Sequence, residues 1–126
     1  MTPPASDDHP YSPARLAPDG AVYLSGIVPY DEDGAVVREF PAAAQQALTT
    51  LAARLTEVGC TLDDVVKTTV FVTDIARRAE INRVYAERFR EPRPARTMVQ
   101  VSALPAGSAL EIEAVAYRPL SSPRPA

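Results

Sequence analysis

The run Val65 to Asp74 (VVKTTVFVTD) constrains the fold more than any other stretch of this chain. It is dense in β-branched residues, which suit a pleated strand and lose side-chain freedom in a helix. Both flanks carry the other periodicity. From Ala42 to Val58 the apolar residues Ala44, Ala47, Leu48, Leu51, Leu55 and Val58 recur at spacings of three and four, which predicts an amphipathic helix. Pro41 before it suits a first helical turn, and Gly59 after it suits the left-handed position that ends a helix. Ala76 to Arg90 predicts a second helix, with Ile81, Val84, Tyr85, Arg88 and Phe89 on one face. A central strand between two helices must share one core with them, because 126 residues have room for a single domain.

The remaining elements are short strands marked off by turns. Tyr11 to Leu16 and Ala21 to Ser25 read as strands around Ala17-Pro18-Asp19-Gly20, where Pro presets φ and Gly permits a positive one. Asp31-Glu32-Asp33-Gly34 reads as a further turn leading to Ala35-Val36-Val37. After the Glu91-Pro92-Arg93-Pro94 loop, strands are expected over Arg96 to Val101 and Ala109 to Tyr117, separated by Leu104-Pro105-Ala106-Gly107. The order predicts a two-layer α+β architecture with both helices on one sheet face. Residues 10–118 form the expected domain, and the Pro-, Ser- and Asp-rich ends at 1–9 and 119–126 are expected to be disordered tails.

The uncovered sheet face is not uniformly polar. In the last strand Leu110, Ile112, Ala114 and Ala116 point one way and Glu111, Glu113, Val115 and Tyr117 the other. In the central strand Lys67 and Thr69 share a face with Phe71. Apolar and ionisable residues interleaved in this manner predict a subunit interface with polar pockets along it.

Composition excludes several classes. The formal net charge of −3 gives no broad basic footprint for nucleic acid. Arginine dominates the cations, since Lys67 is the one lysine, and most of the arginines read as solvated surface. A single cysteine, Cys60, rules out an intramolecular disulfide framework and points to a reducing compartment, so a cytoplasmic location is expected. One cysteine and one histidine, His9, cannot make the usual structural zinc site, and no metal is expected. No apolar stretch is long enough to span a bilayer.

Against this background Arg96 stands out, in Pro94-Ala95-Arg96-Thr97, where a proline-punctuated loop enters an apolar strand. A guanidinium there offers a planar fork of donors suited to a carboxylate. Its ordinary alternative is a surface or interface ion pair.

Four stretches in order, Pro10-Tyr11-Ser12, Ser25-Gly26-Ile27-Val28-Pro29, Lys67 to Asp74 with Asn82, Tyr85 and Phe89 on the next helix, and Pro94-Ala95-Arg96-Thr97 followed by Glu111-Ile112-Glu113-Ala114, carry a family resemblance. The chain resembles the RidA (YjgF) family of reactive enamine/imine deaminases from about Tyr11 to Tyr117. The resemblance implies a chorismate-mutase-like two-layer α+β sandwich, a mixed sheet with two helices on one face. It also implies assembly as a homotrimer with a cofactor-free site between subunits. The implied reaction is hydrolysis of 2-imino or 2-enamino acids, of the 2-aminoacrylate type, to 2-keto acids and ammonia. By the same resemblance Arg96 binds the substrate carboxylate and Glu111 positions or activates water, while Ser25, Gly26 and Tyr11 line the cleft. Such chemistry needs orientation, water and proton transfer, and neither metal nor nucleophile.

The sequence departs from the family pattern at Met98, where a cysteine is frequent, at Ile27, where glutamine is usual, and at Gln100, where an acid is common. Met98 and Ile27 predict a more apolar pocket than usual, with Met98 in contact with substrate. The alternatives are a non-catalytic binder of small carboxylates and a hydrolase specialised for a pathway imine or enamine, such as an aminomuconate or a secondary metabolite. Ribonuclease activity, also ascribed to the family, is disfavoured by the acidic chain and the lack of a histidine pair.

Overall fold

In a computed structural model that describes residues 9–118, the chain folds as five strands and two α-helices. The tails expected at the two ends lie outside the described residues, His9 excepted. The strands are β1 (Ala14–Leu16), β2 (Ala21–Ile27), β3 (Val65–Val72), β4 (Ala95–Gln100) and β5 (Leu110–Tyr117); the helices are α1 (Ala42–Glu57) and α2 (Arg78–Arg88). The sheet order is β1-β2-β5-β3-β4, with β3 and β4 parallel and every other pair antiparallel. The sheet is therefore mixed, and the parallel pair is bridged by α2, the crossover that a parallel connection requires.

The helices form where the sequence places them. α1 buries Ala43, Ala44, Ala47, Leu48, Leu51 and Leu55, and ends as Gly59 takes φ +81° with its N–H bonded to the Thr56 carbonyl. Pro41 stands at the cap, one position before the helix. α2 is shorter than its pattern: Ile75–Arg77 is a 3-10 turn opened by Asp74, whose side chain accepts from the Ala76 N–H, and Phe89 is already extended. Phe89 nevertheless keeps its apolar role at 1% exposure, worth about 2 kcal/mol of burial.

The first strand begins at Ala14, three residues later than expected. Pro10 and Pro13 carry no N–H for a ladder, and the Pro13 carbonyl is taken by the Ser25 N–H at 3.0 Å. The turn that follows is as predicted, with Gly20 at φ +97° and its N–H on the Ala17 carbonyl. β2 runs two residues past its expected end and carries a register shift against β5 between Leu24 and Ile27, so Ser25 and Gly26 sit at a bulge.

The core lies between the helices and one sheet face, where Val22, Leu24, Ile27, Val65, Val70, Val72, Leu110, Ile112, Ala114 and Ala116 meet Leu48, Leu51, Leu55, Ile81, Val84 and Phe89. The opposite face carries the alternate residues of β3 and β5, with Tyr23, Val66 and Tyr117 among the exposed large side chains.

Candidate functional site

The expected site residues form two groups, one on each side of the sheet. On the open face Glu111 is the register partner of Phe71 and lies half-buried against the β2 bulge. Its carboxylate rests on Gly26 so closely that a β-carbon there would stand 1.8 Å from Glu111 Oε2. Glycine is what lets the acid lie flat on the bulge. Burial, with the like charge of Glu113 as a second cause, raises Glu111 above the ordinary carboxyl range.

Ser25 and Tyr11 belong to the same side of the molecule. The Ser25 hydroxyl donates to the Ser12 carbonyl at 2.7 Å, which ties the segment before β1 to the bulge. Tyr11 is 57% exposed, stacks on His9 with ring centroids 5.4 Å apart, and lines a shallow groove of about 280 Å³ with Ser12, Arg15, Tyr23, Leu24 and Ser25. Further across the open face a hollow of about 190 Å³ is lined by Tyr23, Lys67, Thr69, Glu113 and Val115, and Lys67 Nζ donates to Thr97 Oγ1 at 2.7 Å.

Arg96 lies on the helix side. It is the register partner of the fully buried Thr68, and its guanidinium reaches over α2. The Nη2 group donates to Asn82 Oδ1 at 2.7 Å, and Cζ stands 4.7 Å from the centroid of the Tyr85 ring, within cation–π range. The Tyr85 hydroxyl shares a buried 2.7 Å hydrogen bond with Thr68 Oγ1. Among the described residues no carboxylate pairs with Arg96; the ion pairs are Arg77–Glu80, Arg90–Asp63 and Arg93–Glu91.

Glu111 and Arg96 occupy opposite faces of the sheet, with β3 between their strands. One expectation changes. Ile27 does not make an open pocket more apolar: at 2% exposure it belongs to the core opposite Ile112. Met98 does share the Arg96 face, next to Val70, and packs partly buried on the core. Asn82 and Tyr85 hold the guanidinium, and Tyr85 belongs to the core as well. Their separation of three residues on one helix face was the available signal.

Among the described residues no group of three His, Cys, Asp or Glu side chains is placed to hold a metal ion, and no helix is long and apolar enough to cross a membrane.

A five-stranded mixed sheet with two helices on one face, a bulge-seated acid and an edge-strand arginine with no carboxylate partner among the described residues fit a small α+β protein of the RidA type. Residues 3–118 match the family described as endoribonuclease L-PSP, which is the YjgF/RidA family, and the chain belongs to it. The 3-aminoacrylate deaminase RutC of Acinetobacter baylyi is 44% identical over 110 residues, 86% of each chain. The human 2-iminobutanoate/2-iminopropanoate deaminase is 41% identical over 115 residues, covering 86% of this chain and 80% of the human one. The crystal structure of Escherichia coli TdcF with bound serine superposes with a TM-score of 0.83 at 34% identity, covering 94% of both chains. These relatives are hydrolytic deaminases where their names state an activity.

Proposed function

We propose that this protein hydrolyses small 2-imino and 2-enamino acids to 2-keto acids and ammonia, at sites shared between copies of the chain in a homotrimer. The observation that carries the reading is Arg96: a guanidinium held by Asn82 and Tyr85, with no carboxylate of its own among the described residues. The deaminase relatives supply the reaction class, and both named substrate types are small acids bearing a hydrolysable C–N function.

In this reading Arg96 fixes the substrate carboxylate, and the Glu111, Gly26, Ser25 and Tyr11 group of a neighbouring copy completes the cleft. The opposite-face placement of Arg96 and Glu111 supports that sharing, because one chain cannot present both to one small molecule. An enamine first takes a proton at carbon to become the iminium. Water adds to the iminium carbon as Glu111 accepts its proton, giving a carbinolamine. Glu111 returns the proton to nitrogen, the C–N bond breaks as the carbinolamine hydroxyl gives its proton to the freed Glu111 carboxylate, and ammonia leaves with the keto acid behind; the proton on Glu111 then passes to solvent, replacing the one taken up at carbon. A carboxyl raised by burial suits both transfers better than an ordinary surface acid. Met98 borders the carboxylate end and limits substrate size there. The protein would work in a reducing, cytoplasmic setting, and RNA hydrolysis is no part of this reading.

The test couples the protein to an amino-acid dehydratase or oxidase that generates the imine, and follows keto acid and ammonia release. Faster release than in buffer, lost in Arg96→Ala, is expected. Ligand-induced thermal stabilisation that needs Arg96, without turnover of any small imino acid, would instead establish the non-catalytic carboxylate binder.

A further inference from the structure

The guanidinium of Arg96 is constrained from below as well as from the side. The Tyr85 ring lies 4.7 Å under Cζ. That ring is itself fixed twice: Phe89 packs on it at 4.5 Å between centroids with a 40° tilt, and Thr68 Oγ1 holds its hydroxyl at 2.7 Å. Thr68 is also the β3 residue in register with Arg96 on β4. Backbone ladder, hydroxyl pair and ring face thus form a closed loop, Arg96 to Thr68 to Tyr85 and back to Arg96.

Packing alone would not select this arrangement. Thr68 is 0% exposed and Tyr85 is 7% exposed, so each brings a polar atom to the floor of the core, where valine and phenylalanine would bury without any need for partners. The polar pair leaves the ring with a set height and rotation. A guanidinium stacked on a ring uses its face for the contact and keeps its in-plane N–H groups directed outward. Asn82 occupies one of these groups, on Nη2.

We infer that Tyr85, set in place by Thr68 and Phe89, is the positioning residue that presents the edge of Arg96 to the substrate carboxylate. The inference rests on the proposed function. It extends the site beyond the groups that touch substrate to a buried hydroxyl on the central strand.

The test measures binding of 2-oxobutanoate by calorimetry, and KM and kcat in the coupled assay, for the full chain and for Arg96→Ala, Tyr85→Leu, Tyr85→Phe and Thr68→Val. Tyr85→Leu removes the ring face and is expected to weaken 2-oxobutanoate binding and raise KM about tenfold, the size of a partly shielded cation–π contact. Tyr85→Phe restores the ring without its hydroxyl and should recover most of that loss. Thr68→Val should raise KM roughly threefold, the size of one net hydrogen bond, and raise it no further when combined with Tyr85→Phe. A purely structural role would lower the folded fraction, and so kcat, while KM stayed at the parental value.

Parental KM and affinity in folded Tyr85→Leu, alongside lost binding in Arg96→Ala, would overturn the inference and leave the proposed function standing. Unchanged binding in Arg96→Ala would overturn both. If Tyr85→Leu does not fold, the near-isosteric Thr68→Val decides, and an unchanged KM there overturns the inference.

Discussion

The Glu111 carboxylate lies directly on Gly26, closer than any side chain at that position would allow. The obstructing atom is the end of a flexible side chain, so the fold can accommodate a methyl group by turning the acid away. Gly26→Ala is therefore expected to cost less than about 1 kcal/mol in stability while lowering kcat by roughly 100-fold, the lower range for a misplaced acid–base group. Thermal unfolding and the coupled deaminase assay measure the two quantities. A large stability loss with parental kcat would contradict the role assigned to the bulge.

The pH profile follows from the same contact. Burial and then Glu113 raise Glu111, so the base proposed for water activation would be lost as pH falls through a value above the ordinary carboxyl one. Glu113→Gln removes the second cause, and the acid limb of kcat/KM should move to lower pH. For stability the sign is opposite to that of a stabilised carboxylate. A carboxyl raised in the folded state favours folding below its unfolded value, and that contribution disappears as pH rises through the folded value. Glu111→Gln should accordingly flatten the loss of stability on going from acid to neutral pH. Urea unfolding across that range checks it, and a steeper loss in the variant would count against the buried-acid description.

The open face offers a test of assembly. Tyr23 is 51% exposed beside the hollow that Glu113 lines. Tyr23→Glu sets a second carboxylate in a hollow that holds one ammonium, that of Lys67, and if this face is buried between copies the excess negative charge would be desolvated. Sedimentation is expected to show a trimer for the parent and smaller species for the variant, with deaminase activity falling as the shared sites come apart. A variant that stays trimeric at low micromolar concentration would place the subunit contact elsewhere.

Ala106 supplies a prediction for stability alone. It is the one non-glycine residue at positive φ among those described, at +59°, in the turn Pro105–Gly107, whose Ala106 and Gly107 carbonyls accept from the Arg38 guanidinium. A β-carbon in that region costs about 1 kcal/mol, so Ala106→Gly should raise the melting temperature by roughly 4 °C. Arg38→Ala should lower it by unclamping the turn.

Much of the fold was legible because the local patterns agree with the final packing. The spacing of Leu48, Leu51 and Leu55, closed off by Gly59, marks α1, and the alternation of Leu110, Ile112, Ala114 and Ala116 marks the buried face of β5. Strand order was not legible. The last strand inserts between β2 and β3, a choice made by non-local packing that no single segment encodes. The face that Arg96 occupies was hidden for a related reason. Arg96, Met98 and Gln100 alternate with Thr97 and Val99, and neither set is clearly apolar, so the strand does not announce which parity faces the helices. The Asn82 and Tyr85 contacts depend on that parity and on the parallel register with β3, so both were hidden together.

Lys67 carries a practical consequence. It is the chain's only lysine, and its ammonium group sits on the open face, against Thr97. An acylating reagent therefore finds one side-chain amine in the protein, at a point where association between copies would screen it. The extent of labelling at that single position, read by mass spectrometry as the protein is diluted, becomes a built-in gauge of how fully the face is covered.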